Sequence, residues 1–531
     1  MLDVEAADAL LTSDLVGYLR YLAGPETWPT LRLALAAPLH ALAGPSRALA
    51  VEHGLSLALA AALFLALGFA ARCVAPRAGD ALLVLLVSAA VLAGIRPLFV
   101  FAADAMLEVP SALLTLASAA AWLASRDSAA RRPWALAIFG NLLFHVKWQH
   151  GMILAAAVLL TEAVEGGALP AARALGVALV RGVRMPLAAV LLAAALAQLG
   201  VALWARATGG GELALLGQRI SLHGPQGPLA FGALSLFAFL QLAWWRGRAD
   251  LSREVPDRVR FLWAWLATPM GLWLLVPFTW RLRVLLLTSF DYVSGETPEG
   301  LAERLLFYPR AAWNGWIPTG GHGLVLVLAA AVAVASWRST VTRRLLAPFT
   351  ALVLGELLAL VVLNARNYQA RFILNLAPVM ALWAASWVPA VPRPRLRAVV
   401  ALAAASLVAW RAAPAWGRQP LVATLAQGFE SAENGDACRG IARALPLERG
   451  VLQNQTSLPR RQTCALWVKL VARERGADVD VYGVWPRARW QEALVLAEGC
   501  GALRPPEGLV PEDGEVSSGP VCGQRFRLPP R

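Results

Sequence analysis

The sequence predicts an α-helical polytopic membrane protein with about 12 transmembrane helices, outer-face interfacial helices and a small C-terminal α/β domain. Hydrophobic residues make up 58% of the 531 residues, charged residues make up 15%, and the mean hydropathy is +0.57. A soluble protein of this size is more polar. Arginine collects in alternating loops, and four of the five cysteines lie in the less apolar C-terminal region.

Charge-poor runs indicate the spans, because a spanning helix needs roughly 17–25 apolar residues. Runs without Asp, Glu, Lys or Arg are 55–71, 81–95, 185–205, 228–245, 261–280 and 324–337. Less uniform candidates are 107–125, 345–364, 371–389 and 396–413.

Residues 134–160 form a stretch that is longer than one span needs and is polar at its middle. We interpret it as two short helices that meet at an apex around Lys147. Two passages there put six loops on one side: 72–79, 126–132, 165–184, 246–260, 338–344 and 393–397. These 62 residues include 19 Arg. The positive-inside rule makes that side cytoplasmic, with both termini outside.

We expect three regions: an outer first loop with interfacial helices (1–52), a transmembrane domain (53–413) and an outer α/β domain (414–531). The first region has acidic residues where a signal peptide is basic, and 30–42 is apolar but too short to span. A chain that begins outside needs an export segment. We therefore hypothesise that a first spanning helix upstream has been lost to a wrong start codon.

The C-terminal region has helix-like segments at 435–445 and 464–475, and strand-like segments at 450–454, 479–485 and 493–497. Its four cysteines suit two disulfides in an oxidising compartment, with three possible pairings. They are Cys438, Cys464, Cys500 and Cys522. The region holds 15 basic and 13 acidic residues, so the net charge of +14 lies mostly in the membrane part. The sequence has no long basic run with interleaved aromatic residues, which is the pattern that would indicate nucleic-acid binding.

Three carboxylates are candidates for chemistry on the outer side. Asp104 and Glu108 lie four residues apart at a predicted outer turn, so they share one face of a helix. An acid at a membrane boundary marks a functional site more often than a filler position. The alternative is that the pair lies at the solvated start of a helix. Asp14, near Tyr18, can accept a proton from a substrate hydroxyl group as that group attacks. Helix capping is the alternative for Asp14.

Three basic residues suit a phosphate. Lys147 is one of only two lysines among 48 basic residues, and His145 and His150 flank it. Its ammonium can bind a phosphate as a point charge. Alternatively, the side chain extends to the membrane–water interface. Arg366 and Arg371 lie at the outer entrance of a span, where guanidinium groups bind phosphodiesters or anchor the interface. The histidines lack the spacing of a zinc site.

Taken in order, these elements resemble the C-type (GT-C) integral membrane glycosyltransferases, which include protein O-mannosyltransferases and lipid A aminoarabinose transferases. Asp14 with Tyr18 is similar to the first-loop motif Asp-Glu-x-x-Tyr of that family, with Leu15 in place of the second acid. Asp104 and Glu108 fall where the second outer loop of the family carries an acid.

Three later elements extend the resemblance over about residues 10–390. The stretch 144–151 (FHVKWQHG) is similar to a Lys-aromatic-x-x-Gly element. The stretch 305–309 (LLFYP), with Tyr308, resembles a late-loop element. The stretch 370–378 (ARFILNLAP) is similar to the signature Arg-Tyr-x-Leu-x-x-x-Pro, with Phe372 in place of Tyr.

The resemblance implies transfer of a sugar from a polyprenyl-phosphate donor to a glycan, lipid or protein acceptor, usually with inversion. Asp14 acts as general base or positions the acceptor, and Asp104 or Glu108 supports it; these three acids are also the candidate ligands of a divalent Mg or Mn ion. Lys147, Arg366 and Arg371 stabilise the departing phosphate. Further substrate-binding candidates are Tyr18, His145, His150 and Tyr308. The expected location is the cytoplasmic membrane, with the active site and the C-terminal domain on the periplasmic side.

Two other functions are consistent with the sequence. A transporter or lipid-linked sugar flippase uses the intramembrane Glu356 and the apex residues to line a passage, but no internal repeat of the transporter kind is evident. A non-catalytic membrane assembly protein uses its C-terminal domain to bind a partner.

Overall fold

A computed structural model gives the fold of the protein. It describes residues 30–43, 48–103, 107–126, 132–166, 168–208, 211–215, 218–222, 226–275, 298, 301–317, 321–338, 340–363, 369–417, 432–447, 449–455, 464, 467–469, 471–472, 475, 478–480, 492–506, 508–512 and 514–529. Most of these residues form helices, and a sheet lies in the C-terminal region.

The first half of the chain is a series of helices and one hairpin. The helices are α1 Thr30–Ala43, α2 Ala48–Val74, α3 Ala78–Gly94, α4 Arg96–Ala103, α5 Glu108–Arg126, α6 Trp134–Val146, α7 Trp148–Glu165, α8 Ala168–Val183 and α9 Pro186–Thr208. An antiparallel hairpin of β1 (Gly211–Leu215) and β2 (Gln218–Leu222) follows. The sequence analysis did not predict this hairpin.

Further helices complete the membrane part. They are α10 Gln226–Glu254, α11 Asp257–Leu262, α12 Thr268–Leu275, α13 Leu301–Gly315, α14 His322–Arg338, α15 Thr340–Leu363, α16 Ala377–Ala384 and α17 Pro394–Gly417. A π-helical turn, Trp263–Ala267, joins α11 to α12, and a 3-10 helix, Ala370–Leu376, leads into α16.

The chain is an integral membrane protein. Five of the described helical segments are long and apolar enough to span a membrane: Gly54–Val74, Pro186–Ala205, Gly227–Gly247, Ala370–Ala390 and Pro394–Ala413. Shorter apolar helices are Ala78–Gly94, Trp134–Val146, His322–Trp337 and Pro348–Val361. The total of about 12 spans stays a prediction.

The core forms around α5 and the 3-10 helix. Helix α5 packs against α2, α6 and the 3-10 helix. The segment Ala370–Ala390 is 72% buried, whereas Pro186–Ala205 and Pro394–Ala413 are each 17% buried. An apolar helix with little buried surface suits contact with lipid, since hydrocarbon tails solvate its side chains. The 3-10 helix and α16 are therefore inside the bundle.

The predicted apex at Lys147 is confirmed. Helices α6 and α7 meet there, and Lys147 itself has an extended backbone, with φ −149° and ψ 102°. The Lys147 N–H still donates to Leu143 O at 2.8 Å, and the Gly151 N–H donates to Lys147 O at 3.2 Å. Gly151 permits the close crossing, because a Cβ there would lie 2.4 Å from Phe144 Cα.

The C-terminal sheet has the strand order β4-β3-β5-β8-β6, with β7 paired to β8. Its elements are helix α18 Ala432–Ala444 and the strands β3 Arg449–Asn454, β4 Asp478–Asp480, β5 Glu492–Glu498, β6 Val510–Pro511, β7 Val516–Ser518 and β8 Val521–Arg527. Strand β3 is parallel to β4 and β5, and β8 is antiparallel to β5. Of the three possible cysteine pairings, the structure contains Cys438–Cys464 and Cys500–Cys522.

Candidate active site

A buried ion pair joins the first residue of α5 to the apex between α6 and α7. Lys147 Nζ lies 3.3 Å from Glu108 Oε1, and the two residues are 5% and 3% exposed. Taking two charges out of water is costly, so such a pair is weak evidence for stability alone. Lys147 lies at the break between α6 and α7, and this position makes it a candidate for binding an anion.

The 3-10 helix brings a second cation to the same carboxylate. Arg371 Nε lies 3.9 Å from Glu108 Oε1 and donates a hydrogen bond to Gln369 Oε1 at 2.6 Å. The Phe372 ring contacts both cations: its centroid lies 5.1 Å from Lys147 Nζ and 5.7 Å from Arg371 Cζ. Cation–π contacts of this kind orient charged side chains. Glu108, Lys147 and Arg371 therefore form one cluster, which we call the cation cluster.

Polar side chains continue from Glu108 along α5. Ser111, Thr115 and Ser118 follow at helical spacing on the same face, and each is at most 3% exposed. Their hydroxyls and Glu108 Oε2 have no hydrogen-bond partner among the described residues. Buried polar groups are normally satisfied. This face of α5 is thus unusually polar for a membrane helix.

An apolar cavity of about 350 Å³ begins on the same 3-10 helix. Ile373 and Leu376 line it, and so does the buried Tyr308 of α13. Other lining side chains are almost all apolar, with Arg411 as the single charged one. A cavity of this composition suits a hydrocarbon chain. Because Arg371 is two residues from Ile373, the cation cluster and the cavity share one structural element.

The two histidines of the apex lie in different surroundings. His150 Nδ1 is hydrogen-bonded to Glu356 Oε1, and both residues are buried, at 1% and 3% exposed. This bond joins α7 to α15. His145 stacks edge-on against Trp273, with ring centroids 4.8 Å apart. Neither of these two contacts involves a residue of the cation cluster.

The structure brings together three of the predicted site residues: Glu108, Lys147 and Arg371. Tyr308 lines the cavity, and His145 and His150 lie in other contacts. Four predicted residues lie outside the described part of the chain: Asp14, Tyr18, Asp104 and Arg366.

Sequence reasoning missed two supports of the cluster. Gln369 holds Arg371, and Phe372 lies beside both cations. Phe372 did carry a signal, since it occupies the aromatic position of the 370–378 signature. Gln369 carried none.

The described residues do not form a metal site at the cation cluster. A divalent Mg or Mn ion needs several oxygen ligands, and Glu108 is the single carboxylate described there, with one oxygen already bound to Lys147. Within the part of the chain that is described, the close group of metal-ligating types is Cys500, Glu515 and Cys522. Its two cysteines are joined in a disulfide.

Comparison with known proteins gives a remote likeness of fold. No model of a known protein family matches the sequence, and no curated protein matches it significantly. Among solved structures, the chain is similar to the archaeal oligosaccharyltransferase AglB from Archaeoglobus fulgidus in complex with an inhibitory peptide and a dolichol-phosphate, with 13% identity and a TM-score of 0.41.

An oligosaccharyltransferase from Archaeoglobus fulgidus in the apo form is also similar, with 13% identity and a TM-score of 0.38. The two alignments cover 88% and 84% of this chain, but 61% and 56% of the archaeal chains. The chain thus spans about three fifths of the length of the proteins that it matches.

Proposed function

We propose that the protein is a glycosyltransferase that moves a sugar from a polyprenyl-phosphate carrier to an acceptor at the outer face of the membrane, with inversion. The observation that carries the proposal is that one 3-10 helix contributes residues both to the cation cluster and to the apolar cavity. A polyprenyl phosphate has the matching chemistry, a phosphate at one end of a hydrocarbon chain. The donor sugar and the acceptor class, whether glycan, lipid or protein, are outside the proposal.

The charges of the cluster suit a phosphate. Lys147 and Arg371 contribute two positive charges and Glu108 one negative charge, so the cluster keeps a net positive charge for an anionic ligand. Glu108 is 3% exposed and contacts both cations. We assign it to positioning Lys147 rather than to accepting a proton.

The proposed reaction is a displacement at the anomeric carbon. The acceptor hydroxyl oxygen forms a new bond to this carbon, and the bond from the carbon to the phosphate oxygen breaks. The polyprenyl phosphate leaves with the electron pair, and Asp14 takes the hydroxyl proton. Lys147, Arg366 and Arg371 stabilise the charge on the leaving phosphate. No step is assigned to a metal ion, and the Mg or Mn ion stays a prediction.

Sidedness and location are part of the proposal. The distribution of Arg among the loops supports an active site and a C-terminal domain on the periplasmic side of the cytoplasmic membrane. Two disulfides in the C-terminal domain are consistent with that compartment.

Asp14→Asn tests the proposal directly. We expect it to lower sugar transfer at least about 100-fold, because general-base catalysis contributes this much or more. The assay reconstitutes the full chain in vesicles with polyprenyl-phosphate-linked monosaccharides and measures release of polyprenyl phosphate. Asp3→Asn is the matched control. Full activity of the Asp14 variant would remove Asp14 from the mechanism, and no release by the wild type with any donor would contradict the proposed function.

The cavity supplies a second test. Ala312 lines it from α13, whereas Ala302 lies on an exposed part of the same helix. We expect Ala312→Phe to raise KM for a long polyprenyl donor about tenfold, since a filled cavity loses apolar contact with the chain, and to leave kcat nearly unchanged. Ala302→Phe is the control. Equal effects of the two variants on KM would show that the cavity does not bind the donor.

One observation bears on the rival transporter hypothesis. Glu356, which a transporter would place along a passage, is 3% exposed and bonded to His150. In the described part of the chain it therefore joins two helices, which favours a structural role and supports the transferase over the transporter.

A further inference from the structure

Helix α8 packs against α10. It connects α7 to α9, and its Ala178 packs in a small apolar cluster with Val255 and Val259. At Gly182 the helix passes close to α10, because a Cβ there would lie 3.0 Å from Ala243 Cβ. Ala243 is near the end of the spanning segment Gly227–Gly247. Helix α8 is thus at the level where the bundle leaves the membrane.

The opposite face of α8 is exposed and basic. Arg173, Arg181 and Arg184 line a hollow of about 420 Å³ together with Val177 and Val180. At 100° per residue, Arg173, Val177, Val180 and Arg181 fall within an arc of about 100° that faces away from Gly182. Arg184 directly follows the last residue of α8. No carboxylate is among the lining residues.

The neighbouring acids at the end of α7 are already paired. Glu162 accepts hydrogen bonds from Arg258, and Glu165 forms an ion pair with Arg126. These two carboxylates thus pair with other arginines, and Arg173, Arg181 and Arg184 add three positive charges to one surface.

We infer that this face of α8 binds the head group of an anionic phospholipid. Guanidinium groups bind phosphate oxygens with directional hydrogen bonds. Val177 and Val180 are 38% and 57% exposed between the arginines, and Val183 is 44% exposed beside them. A soluble anion gains nothing from these apolar side chains, whereas a lipid covers them with its glycerol and acyl carbons.

The arginine-rich loops support the same ligand. Helix α8 belongs to the loop 165–184, one of those predicted to lie on the cytoplasmic side, and the surface of that leaflet carries anionic lipid. The site is separate from the cation cluster and does not depend on the proposed sugar transfer.

The test compares two triple variants of the full chain. R173Q/R181Q/R184Q removes the basic face of α8, and R72Q/R77Q/R132Q removes the same charge from exposed arginines elsewhere in the loops predicted to share its side. In nanodiscs of phosphatidylcholine with one fifth phosphatidylglycerol, we expect the first variant to retain phosphatidylglycerol at least about tenfold more weakly on extraction, because each arginine near an anionic surface contributes several-fold in affinity. The control should stay within about twofold of the wild type, and added salt should reduce the difference.

Two further measurements distinguish the ligand. V177S/V180S keeps all three arginines, and we expect it to weaken phosphatidylglycerol retention but not binding of inorganic phosphate to the protein in detergent. Equal loss in both arginine variants would overturn the inference, since general charge would then explain retention. Arginine-dependent binding of inorganic phosphate without phosphatidylglycerol preference would also overturn it, in favour of a soluble anion.

Discussion

Replacing Lys147 with glutamine is expected to lower kcat/KM for a polyprenyl-phosphate sugar about 100- to 1,000-fold, the usual effect of removing one group that stabilises transition-state charge. Lys147 is 5% exposed, and its ammonium lies 3.3 Å from Glu108 Oε1 and 5.1 Å from the centre of the Phe372 ring. It is therefore held in place before a donor arrives. The measurement is release of polyprenyl phosphate by the reconstituted full chain.

A double variant distinguishes a catalytic role of Lys147 from a purely structural one. Replacing a buried ion pair by apolar residues of similar volume is often neutral or stabilising. We therefore expect Lys147→Met with Glu108→Leu to leave a folded protein with an unchanged thermal transition and no sugar transfer. A folded and fully active double variant would show that sugar transfer does not need the ion pair.

Variants of Glu108, the ion-pair partner of Lys147, supply the remaining control. If Glu108 acts by holding Lys147, Glu108→Gln should lower the rate in the wild type but add little in the Lys147→Gln background. Residues that act as a unit are non-additive in this way. Lys147→Arg should recover part of the rate, because it restores the charge but not the compact ammonium. Additive losses would indicate that Glu108 has an independent role.

The apex shows how much of the site the sequence can predict. A lysine at the middle of an apolar stretch is costly in a membrane, so a break with a special environment was predictable at Lys147. Its partner was not. Glu108 is 39 residues away, and Arg371 belongs to another part of the chain. Pairing across such distances depends on how helices pack, which hydrophobic periodicity does not determine.

The His150–Glu356 bond and the C-terminal strands show the same limit. From the sequence, His150 was a candidate for substrate binding and Glu356 a candidate for lining a transport passage, but the two residues bond to each other across 206 positions. In the C-terminal region the parallel strands β3 and β5 are apolar and were predicted. Strand β8 (VCGQRFR) was missed, because Gly523, Arg525 and Arg527 interrupt the apolar pattern of a strand.

Replacing Arg258 with methionine is expected to lower the free energy of unfolding by about 3 kcal/mol, because the buried Glu162 carboxylate loses its closest cation and keeps Arg126 at 4.0 Å. Glu162 is 8% exposed, and Arg258 Nε and Nη2 lie 2.9 and 3.1 Å from its carboxylate oxygens. Trp122 Nε1 donates to the same carboxylate at 2.7 Å, and Arg258 also donates to Ser125. This network ties α5, α7 and α11 together. The measurement is thermal or detergent-induced unfolding of the purified full chain.

Arg260 is the matched control on the same short helix. It pairs with Asp257, whose side chain is 88% exposed, so Arg260→Met should change stability little. Glu162→Gln in the Arg258→Met background should recover part of the loss, since the buried carboxylate that lost its closest cation is then replaced by a neutral amide. Sugar transfer by the folded fraction should persist, because Ser125 and Glu108 lie at opposite ends of α5, about 25 Å apart at 1.5 Å per residue. Equal destabilisation by Arg258→Met and Arg260→Met would show that the buried network does not hold these helices together.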